Sequence, residues 1–270
     1  MAHAKQDRFS SAVLKLARKN MVTNEYEIFS TDYEGEPKAG AVKIPTRATE
    51  VVVGDYNTVT GKAPVGGTTT YTTITIGNDK AVNEIIDGYE AAAVPDGLAA
   101  QRIDSAAYSL GNTVDADAIG VLESEGTTSS VTTVSSATTA YGFFMDENYQ
   151  LDLVDIPRDG HFAIVSPFFY NKVKQNIVAA ASANLGDDVI MTGRLGTLDG
   201  VPVYMSNNVA ATTEFIVGHM GWAQRVMEWT VPVGIKDLAN EFIGSSAVQG
   251  RYVFEHAVTK ATAVRIKPNA

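Results

Sequence analysis

PDGLAAQRIDSAAYSLGNTVDADAIGVL, residues 95–122, is the stretch that decides the fold. Pro95 suits a first helical turn, because the N–H that it lacks would have no partner there. Behind it, apolar residues recur at helical spacing: Leu98, Ile103, Ala107, Leu110, Val114, Ala118 and Leu122. We predict one helix over residues 95–124, about 40 Å long at 1.5 Å per residue. A helix of this length is more typical of a protein that contacts neighbouring subunits than of an enzyme built around a pocket.

A projecting β-hairpin is predicted before this helix. Residues 41–53 and 69–76 are rich in β-branched residues and alternate in hydrophobicity, as strands do. The loop between them, residues 54–67, carries four glycines, Pro64 and Lys62. An isolated two-stranded ribbon is marginal in water, so this hairpin must lie on something, and a neighbour that carries a sheet is a plausible support.

The second half of the chain predicts an α/β lobe. We expect residues 80–90 to lead into the long helix and the Ser/Thr-rich residues 127–139 to form a solvated loop or irregular edge. We expect the last two strands, residues 251–258 and 262–268, to return to the lobe that holds the long helix. The elements between are a helix over 140–154, a strand over 161–166, a helix opening at Pro167, a hairpin over 196–209 around Asp199 and Gly200, and strands in 214–221 and 225–235.

The composition is that of a folded protein of 270 residues, with 45% hydrophobic and 19% charged residues. The absence of cysteine excludes disulfides, thiolate catalysis and Cys-ligated metals. The sequence has no apolar core of a secretory signal and no apolar run near the roughly 20 residues that span a bilayer. We therefore expect a soluble, unexported protein with no membrane contact.

The net charge of −10 is unevenly distributed. Residues 88–160 hold 12 acids and 2 bases, whereas residues 1–19 hold 5 bases and 1 acid, and residues 251–270 hold 4 bases and 1 acid. Such an acidic protein does not wrap nucleic acid by general phosphate neutralisation. The basic ends are either ordinary solvated charge or surfaces that face a polyanion.

Residues 9–19 predict a short amphipathic helix that is too short to be stable alone. We expect this helix to pack on its own subunit. The alternative is that it binds a membrane surface or a calmodulin-type partner. Its apolar face carries Phe9, Val13 and Leu16, and its basic side carries Arg8, Lys15, Arg18 and Lys19.

No catalytic or cofactor motif is complete, so we predict no catalytic, cofactor-binding or metal-binding residues. The four histidines, His3, His161, His219 and His256, lack metal-ligand spacing, and we interpret His161 and His256 as structural. Residues 54–62, GDYNTVTGK, have six residues between the glycines where a phosphate loop has four. Residues 244–250 lack the spacing of a nucleophile elbow, and Ser11 and Lys15 lie one residue too far apart for SxxK. Asp115 and Asp117 diverge on a helix and cannot form a dyad.

The order of these elements resembles the major capsid protein of tailed bacteriophages, the Hong Kong 97 fold. The segments that resemble this family are spread over nearly the whole chain: VKIPTRATEVVVGDYN at 42–57, IIDGYEAAAVPDGLAAQRIDSAAYSLGNTVDADAI at 85–119, PRDGHFAIVSPFFYNKV at 157–173, GRLGTLDGVPVYMSNNV at 193–209, FIVGHMGWAQRV at 215–226 and GRYVFEHAVTKATAVRIK at 250–267. The resemblance implies an α+β fold with a peripheral domain, a long spine helix and an α/β axial domain. The implied limits are an N-terminal arm at 1–40, an extended loop at 41–80, a peripheral domain at 81–160 and 245–270 with the spine helix at 95–124, and an axial domain at 161–244.

The resemblance also implies a function. The chain would be a structural subunit that self-assembles through pentamers and hexamers into an icosahedral capsid enclosing double-stranded DNA, assembled in the host cytoplasm. Portal, auxiliary and scaffolding proteins would be separate partners, or a scaffolding segment would already have been removed. Interface residues would be Thr58, Val59, Lys62, Pro64 and Val65 in the loop and Phe9, Val13 and Leu16 in the arm, and a basic genome-facing arm would carry Arg8, Lys15, Arg18 and Lys19.

Some family members crosslink a loop lysine, but no partner for Lys62 is evident here. A cellular nanocompartment shell shares the fold and is the first alternative. A soluble enzyme is the second, and it would be indicated by a concave pocket that gathers His161, His219 or nearby carboxylates.

Overall fold

A computed structural model describes residues 18–25, 27–33, 40–47, 51–67, 69–89, 98–130, 137–179, 196–238 and 243–269 of the chain. Three sheets organise the described residues: a two-stranded hairpin, a three-stranded sheet and a six-stranded sheet. The predicted helix over 9–19 falls almost wholly outside the described residues. The N-terminal part that is described contains one short helix, α1 (Val22–Glu25).

The predicted long helix is α2 (Leu98–Glu125), 28 residues or about 42 Å. Its two halves pack on two different sheets, because its apolar positions continue without a break along one stripe. Ala106 belongs to a cluster with the three-stranded sheet, whereas Ala118, Ile119 and Leu122 are fully buried against the six-stranded sheet. The helix therefore joins the two sheets into one structure.

The three-stranded sheet has the antiparallel order β3 (Asn78–Ile86), β10 (Ser246–Val258), β9 (Ala223–Asp237). Strand β3 corrects our expectation that residues 80–90 merely lead into the long helix. Val82 and Ile86 lie on the face of β3 that packs on α2, where they cluster with Val248. Gly250 of β10 leaves room for its neighbours, since an added Cβ would lie 2.7 Å from Val233 Cγ2 of β9 and 3.1 Å from Leu110 Cδ1 of α2.

The six-stranded sheet contains β4 (Thr127–Thr128), β5 (His161–Val165), β6 (Thr197–Leu198), β7 (Val201–Met205), β8 (Thr213–His219) and β11 (Val264–Pro268). Its order is β4-β11-β8-β5-β7-β6. All five residues of β5 are buried, because helices cover both faces. Phe162 and Ile164 face α2, while Ala163 and Val165 face α3 (Ala137–Leu153) and α4 (Pro167–Ala179).

Two details of this sheet test the sequence interpretation. The tight turn predicted at Asp199 and Gly200 is confirmed, since both residues have positive φ, +51° and +78°. The position of β11 is only partly as expected. Val264 packs in the cluster with α2, but β11 pairs with β8, so the last strand belongs to the six-stranded sheet and not to the three-stranded one.

The predicted hairpin consists of β1 (Ala41–Arg47) and β2 (Thr69–Thr75), which pair antiparallel from Ala41 opposite Thr75 to Arg47 opposite Thr69. We predicted that the first strand continues to residue 53, and this is wrong. Val51 and Val53 lie in the loop, 84% and 91% exposed, and neither belongs to a strand. β-Branched residues favour a strand only where a partner strand is available.

Candidate assembly surfaces

The hairpin is held at its base. Ile44 and Ile74, which are 6% and 3% exposed, form a small cluster with Val226 of β9. The backbone N–H of Gly77 donates a 2.8 Å hydrogen bond to Glu255 Oε2 of β10. The base of the hairpin is therefore part of the body of the subunit.

The tip of the hairpin, residues 51–67, is exposed almost throughout. Its large apolar side chains are those that a folded protein normally buries: Val51, Val52, Val53, Tyr56, Val59 and Val65, between 63% and 91% exposed. The tip nevertheless has a defined turn, because Asn57 Oδ1 accepts from the backbone N–H of Val59 at 2.8 Å. Gly61, with φ of +68°, closes the turn by donating to Asn57 O at 2.8 Å.

The predicted loop interface residues all lie in this tip. Thr58, Val59, Pro64 and Val65 are exposed, and Lys62 Nζ donates to the carbonyl oxygen of Val52 across the loop. The loop lysine thus contacts its own subunit's backbone. The role of Thr58, Val59, Lys62, Pro64 and Val65 as interface residues stays a prediction.

Only two residues of the predicted N-terminal surfaces are described. Phe9, Val13, Leu16, Arg8 and Lys15 lie outside the described residues. The guanidinium of Arg18 pairs with Asp104 of α2, which raises the pKa of Arg18 and lowers that of Asp104, and it stacks 4.9 Å from the Tyr108 ring centroid. Lys19 Nζ donates to Asn208 Oδ1 at 2.9 Å. Both cations therefore contact their own subunit.

A buried carboxylate on α2 fixes the N-terminal segment. Asp115 is completely buried, and its Oδ1 accepts from the backbone N–H and the hydroxyl of Thr23 at 2.7 and 2.8 Å. Its Oδ2 accepts from Asn208 Nδ2 at 2.7 Å. Because a buried carboxylate is stable only with such partners, Asp115 ties α1 and the loop after β7 to the long helix.

Asp117 points about 200° around the helix axis from Asp115 and contacts the three-stranded sheet. His256 Nδ1 donates to Asp117 Oδ2 at 2.8 Å, since a carboxylate can only accept, and His256 Nε2 accepts from Arg225 Nε at 3.0 Å. These bonds require a neutral imidazole. Burial is the main cause that lowers the pKa of His256, and the Asp117 hydrogen bond opposes it. Asp115 and Asp117 thus have separate partners, as their spacing predicted.

His161 and His219 lie side by side on β5 and β8, with ring centroids 5.7 Å apart. His161 Nδ1 lies 3.1 Å from Asn148 Oδ1, and burial lowers the pKa of His161. His219 Nε2 donates to Asp159 O at 2.6 Å, and its Nδ1 accepts from the backbone N–H of Gly221 at 2.9 Å. Both rings are thereby fixed in place by their own subunit.

An open cleft of about 570 Å³ borders this histidine pair and is lined in part by Arg158, Asp159, His161 and Tyr204. Its lining contains no serine, threonine or cysteine nucleophile. In the described part of the chain, no three His, Cys, Asp or Glu side chains are grouped so that they could hold a metal ion. The cleft brings His161 together with the carboxylates of Glu27 and Asp159, which is the arrangement that the enzyme alternative names. The adjacent His219 has both ring nitrogens bonded to backbone groups.

Comparison with solved structures identifies the fold. A chain from Mycobacterium phage Che8 superposes with a TM-score of 0.85 at 19% identity, over 97% of this chain and 96% of that chain. The capsid structure of cyanophage P-SCSP1u gives 0.77 at 13% identity, over 98% and 93%. The mature capsid of bacteriophage PhiM1 gives 0.76 at 11% identity, over 99% and 92%.

These similarities show that the chain has the fold of phage capsid structures, and the predicted fold class is confirmed. No family model matches the sequence, and no curated protein matches it either. Among the described helices, none combines the length and apolar character needed to cross a membrane.

Proposed function

We propose that the chain is a structural, non-enzymatic subunit that assembles through pentamers and hexamers into an icosahedral phage capsid around double-stranded DNA. One observation carries the proposal: a hairpin anchored on the body presents an apolar tip, residues 51–67, to solvent. A capsid fold over nearly the whole chain supports it.

The exposed valines of the tip would provide the driving force for contact with a second molecule. Burying an exposed Val side chain contributes roughly 1.5–3 kcal/mol, so contact with a second molecule would gain several times that amount from Val51, Val53 and Val59 together. The tip is held away from its own subunit's core by the Ile44 and Ile74 base. A neighbouring copy is therefore its natural support.

The proposed shell grows by head-to-tail contacts between copies, which close into rings when the rotation closes. Each contact can be modest, because a subunit held by several neighbours gains from their joint engagement. The net charge of −10 suits DNA that is retained mechanically and touched without base recognition. Portal, scaffolding and auxiliary proteins are proposed as separate partners, and the host cytoplasm as the site of assembly.

The proposed domains follow the capsid fold: an arm at 1–40, an extended loop at 41–80, a peripheral domain at 81–160 and 245–270, and an axial domain at 161–244. The pairing of β11 with β8 favours moving residues 264–268 into the axial domain.

The test is negative-stain microscopy and sedimentation of the purified protein. We expect uniform closed particles or capsomers, with nuclease-protected DNA when particles are isolated from a host. A strictly monomeric protein under every assembly condition would overturn the proposal. Particles filled with enzyme and no genome would favour the nanocompartment alternative.

A further inference from the structure

Helix α3 carries an apolar stripe that the described part of its own subunit leaves exposed. Met145, Tyr149 and Leu153 are spaced four residues apart, so they lie on one face of the helix, and they are 42%, 56% and 55% exposed. The opposite face packs on the six-stranded sheet through Phe144 and Leu151, which are fully buried. Three aligned apolar side chains on a helix face away from the core are typical of an interaction surface.

The two neighbouring helices on this side of the sheet have opposite charge. Helix α3 contains Asp146, Glu147 and Asp152 and no basic residue, while α4 contains Lys172 and Lys174 and no acidic one. Glu147 and Asp152 are paired with Arg265 and Arg158 of the same subunit, so Asp146 is the acid that two facing α3 helices would bring together. That repulsion disfavours a contact of α3 with a second α3 or with an anionic membrane. A surface like α4, basic and aromatic, is the complementary one.

Such a surface lies on the same chain. Phe168 of α4 is 52% exposed, and Lys172 Nζ lies 5.4 Å from the centroid of its ring. An aromatic ring beside a cation matches a helix face that offers Met145, Tyr149 and Leu153 beside the carboxylate of Asp146.

We propose that the α3 stripe of one copy packs against the Phe168–Lys172 side of α4 of a second copy, with Asp146 facing Lys172. In such a pair one copy keeps its α4 surface free and the other keeps its α3 surface free, so the contact can repeat head to tail and forms a ring when the rotation between copies closes. The inference rests on the proposed function, because it names the contact within the rings of subunits.

Charge reversal tests the pairing. Asp146→Lys alone and Lys172→Asp alone should each weaken ring formation about tenfold, measured as the protein concentration that gives half assembly in sedimentation velocity. The double variant Asp146→Lys/Lys172→Asp should recover to within about threefold of the wild type. A double variant no better than the single ones would overturn the pairing.

The stripe itself is tested by Tyr149→Ser/Leu153→Ser, with Tyr89→Ser as the matched control, because Tyr89 is 83% exposed elsewhere on the chain. We expect monomers with the wild-type melting temperature and at least about tenfold weaker ring formation for the stripe variant only. Normal rings from the stripe variant would refute this inference and leave the proposed function intact. A wild-type protein that forms no rings would instead refute the proposed function.

Discussion

Asp117 Oδ2 accepts a 2.8 Å hydrogen bond from His256 Nδ1, and this bond joins the long helix to the central strand of the three-stranded sheet. His256 is 2% exposed and lies between the rings of Phe29 and Phe254, at centroid distances of 5.1 and 5.4 Å. The His256 side of this hydrogen bond is therefore shielded from water, whereas the Asp117 side chain is 25% exposed.

We predict that Asp117→Ala lowers the free energy of unfolding by about 1–3 kcal/mol, because the buried His256 N–H loses its acceptor. Urea denaturation followed by tryptophan fluorescence measures the change. Asp104→Ala on the same helix is the control. Its ion pair with Arg18 is solvent-exposed, so its removal should lower the free energy of unfolding much less than Asp117→Ala does. Equal effects of the two substitutions would contradict the importance of the Asp117–His256 bond.

We predict that acidification weakens the subunit through His256. Burial lowers the pKa of the folded imidazole below the value of about 6.5 expected in the unfolded chain. The negative charges of Asp117 and Glu255 oppose this lowering, and the positive charge of Arg225 adds to it. The unfolded state then binds more protons than the folded state once the pH falls below about 6.5. The stabilisation by neutral His256 is therefore complete above about pH 6.5 and is lost as the pH falls toward the lowered pKa.

The measurement is the free energy of unfolding at pH 7.5 and pH 5.5 in wild type and His256→Gln, since a glutamine can still donate to Asp117 and accept from Arg225. The wild type should lose more stability than the variant. His161 contributes in the same direction and Glu214 in the opposite one, because burial raises the pKa of Glu214, and both are present in each protein. An identical loss in wild type and variant would show that His256 does not titrate in this range.

We predict that deleting residues 54–67 leaves a folded monomer that forms no shells. The side chains removed are exposed, and the hydrogen bonds of the turn at Asn57 are local, so the melting temperature should stay near that of the wild type. A second variant, Val51→Ser/Val53→Ser/Val59→Ser, keeps the loop length and removes only its apolar side chains. Sedimentation and microscopy distinguish monomers from shells. Normal particles from the deletion would refute the role assigned to the tip.

The sequence was sufficient to predict the long helix, most strands and the hairpin, because these depend on periodicity within a segment. Strand β3 was missed because it is an edge strand with an exposed face, so Val82 and Ile86 alternate only weakly with polar neighbours. The partner of β11 was missed because alternation identifies a strand without identifying its neighbour.

The buried polar contacts were beyond prediction for a related reason. Asp115 bonds Thr23, 92 residues away, and Asp117 bonds His256, 139 residues away. The sequence does contain one signal for these contacts: an acidic residue beside Val114 and Ala118 in the buried stripe of a helix. Such a residue must have a hydrogen-bond partner, but the sequence does not identify that partner.

If a second copy supports the hairpin tip, a crosslink formed from position 59 in the tip should join two subunits. The chain contains no cysteine, so Val59→Cys provides a single site for a benzophenone-maleimide label. After irradiation of assembled particles, denaturing electrophoresis should show products of twice the subunit mass, which should be absent from irradiated monomers. Particles that give only internally crosslinked single subunits would show that the tip lies on its own subunit and not on a second copy.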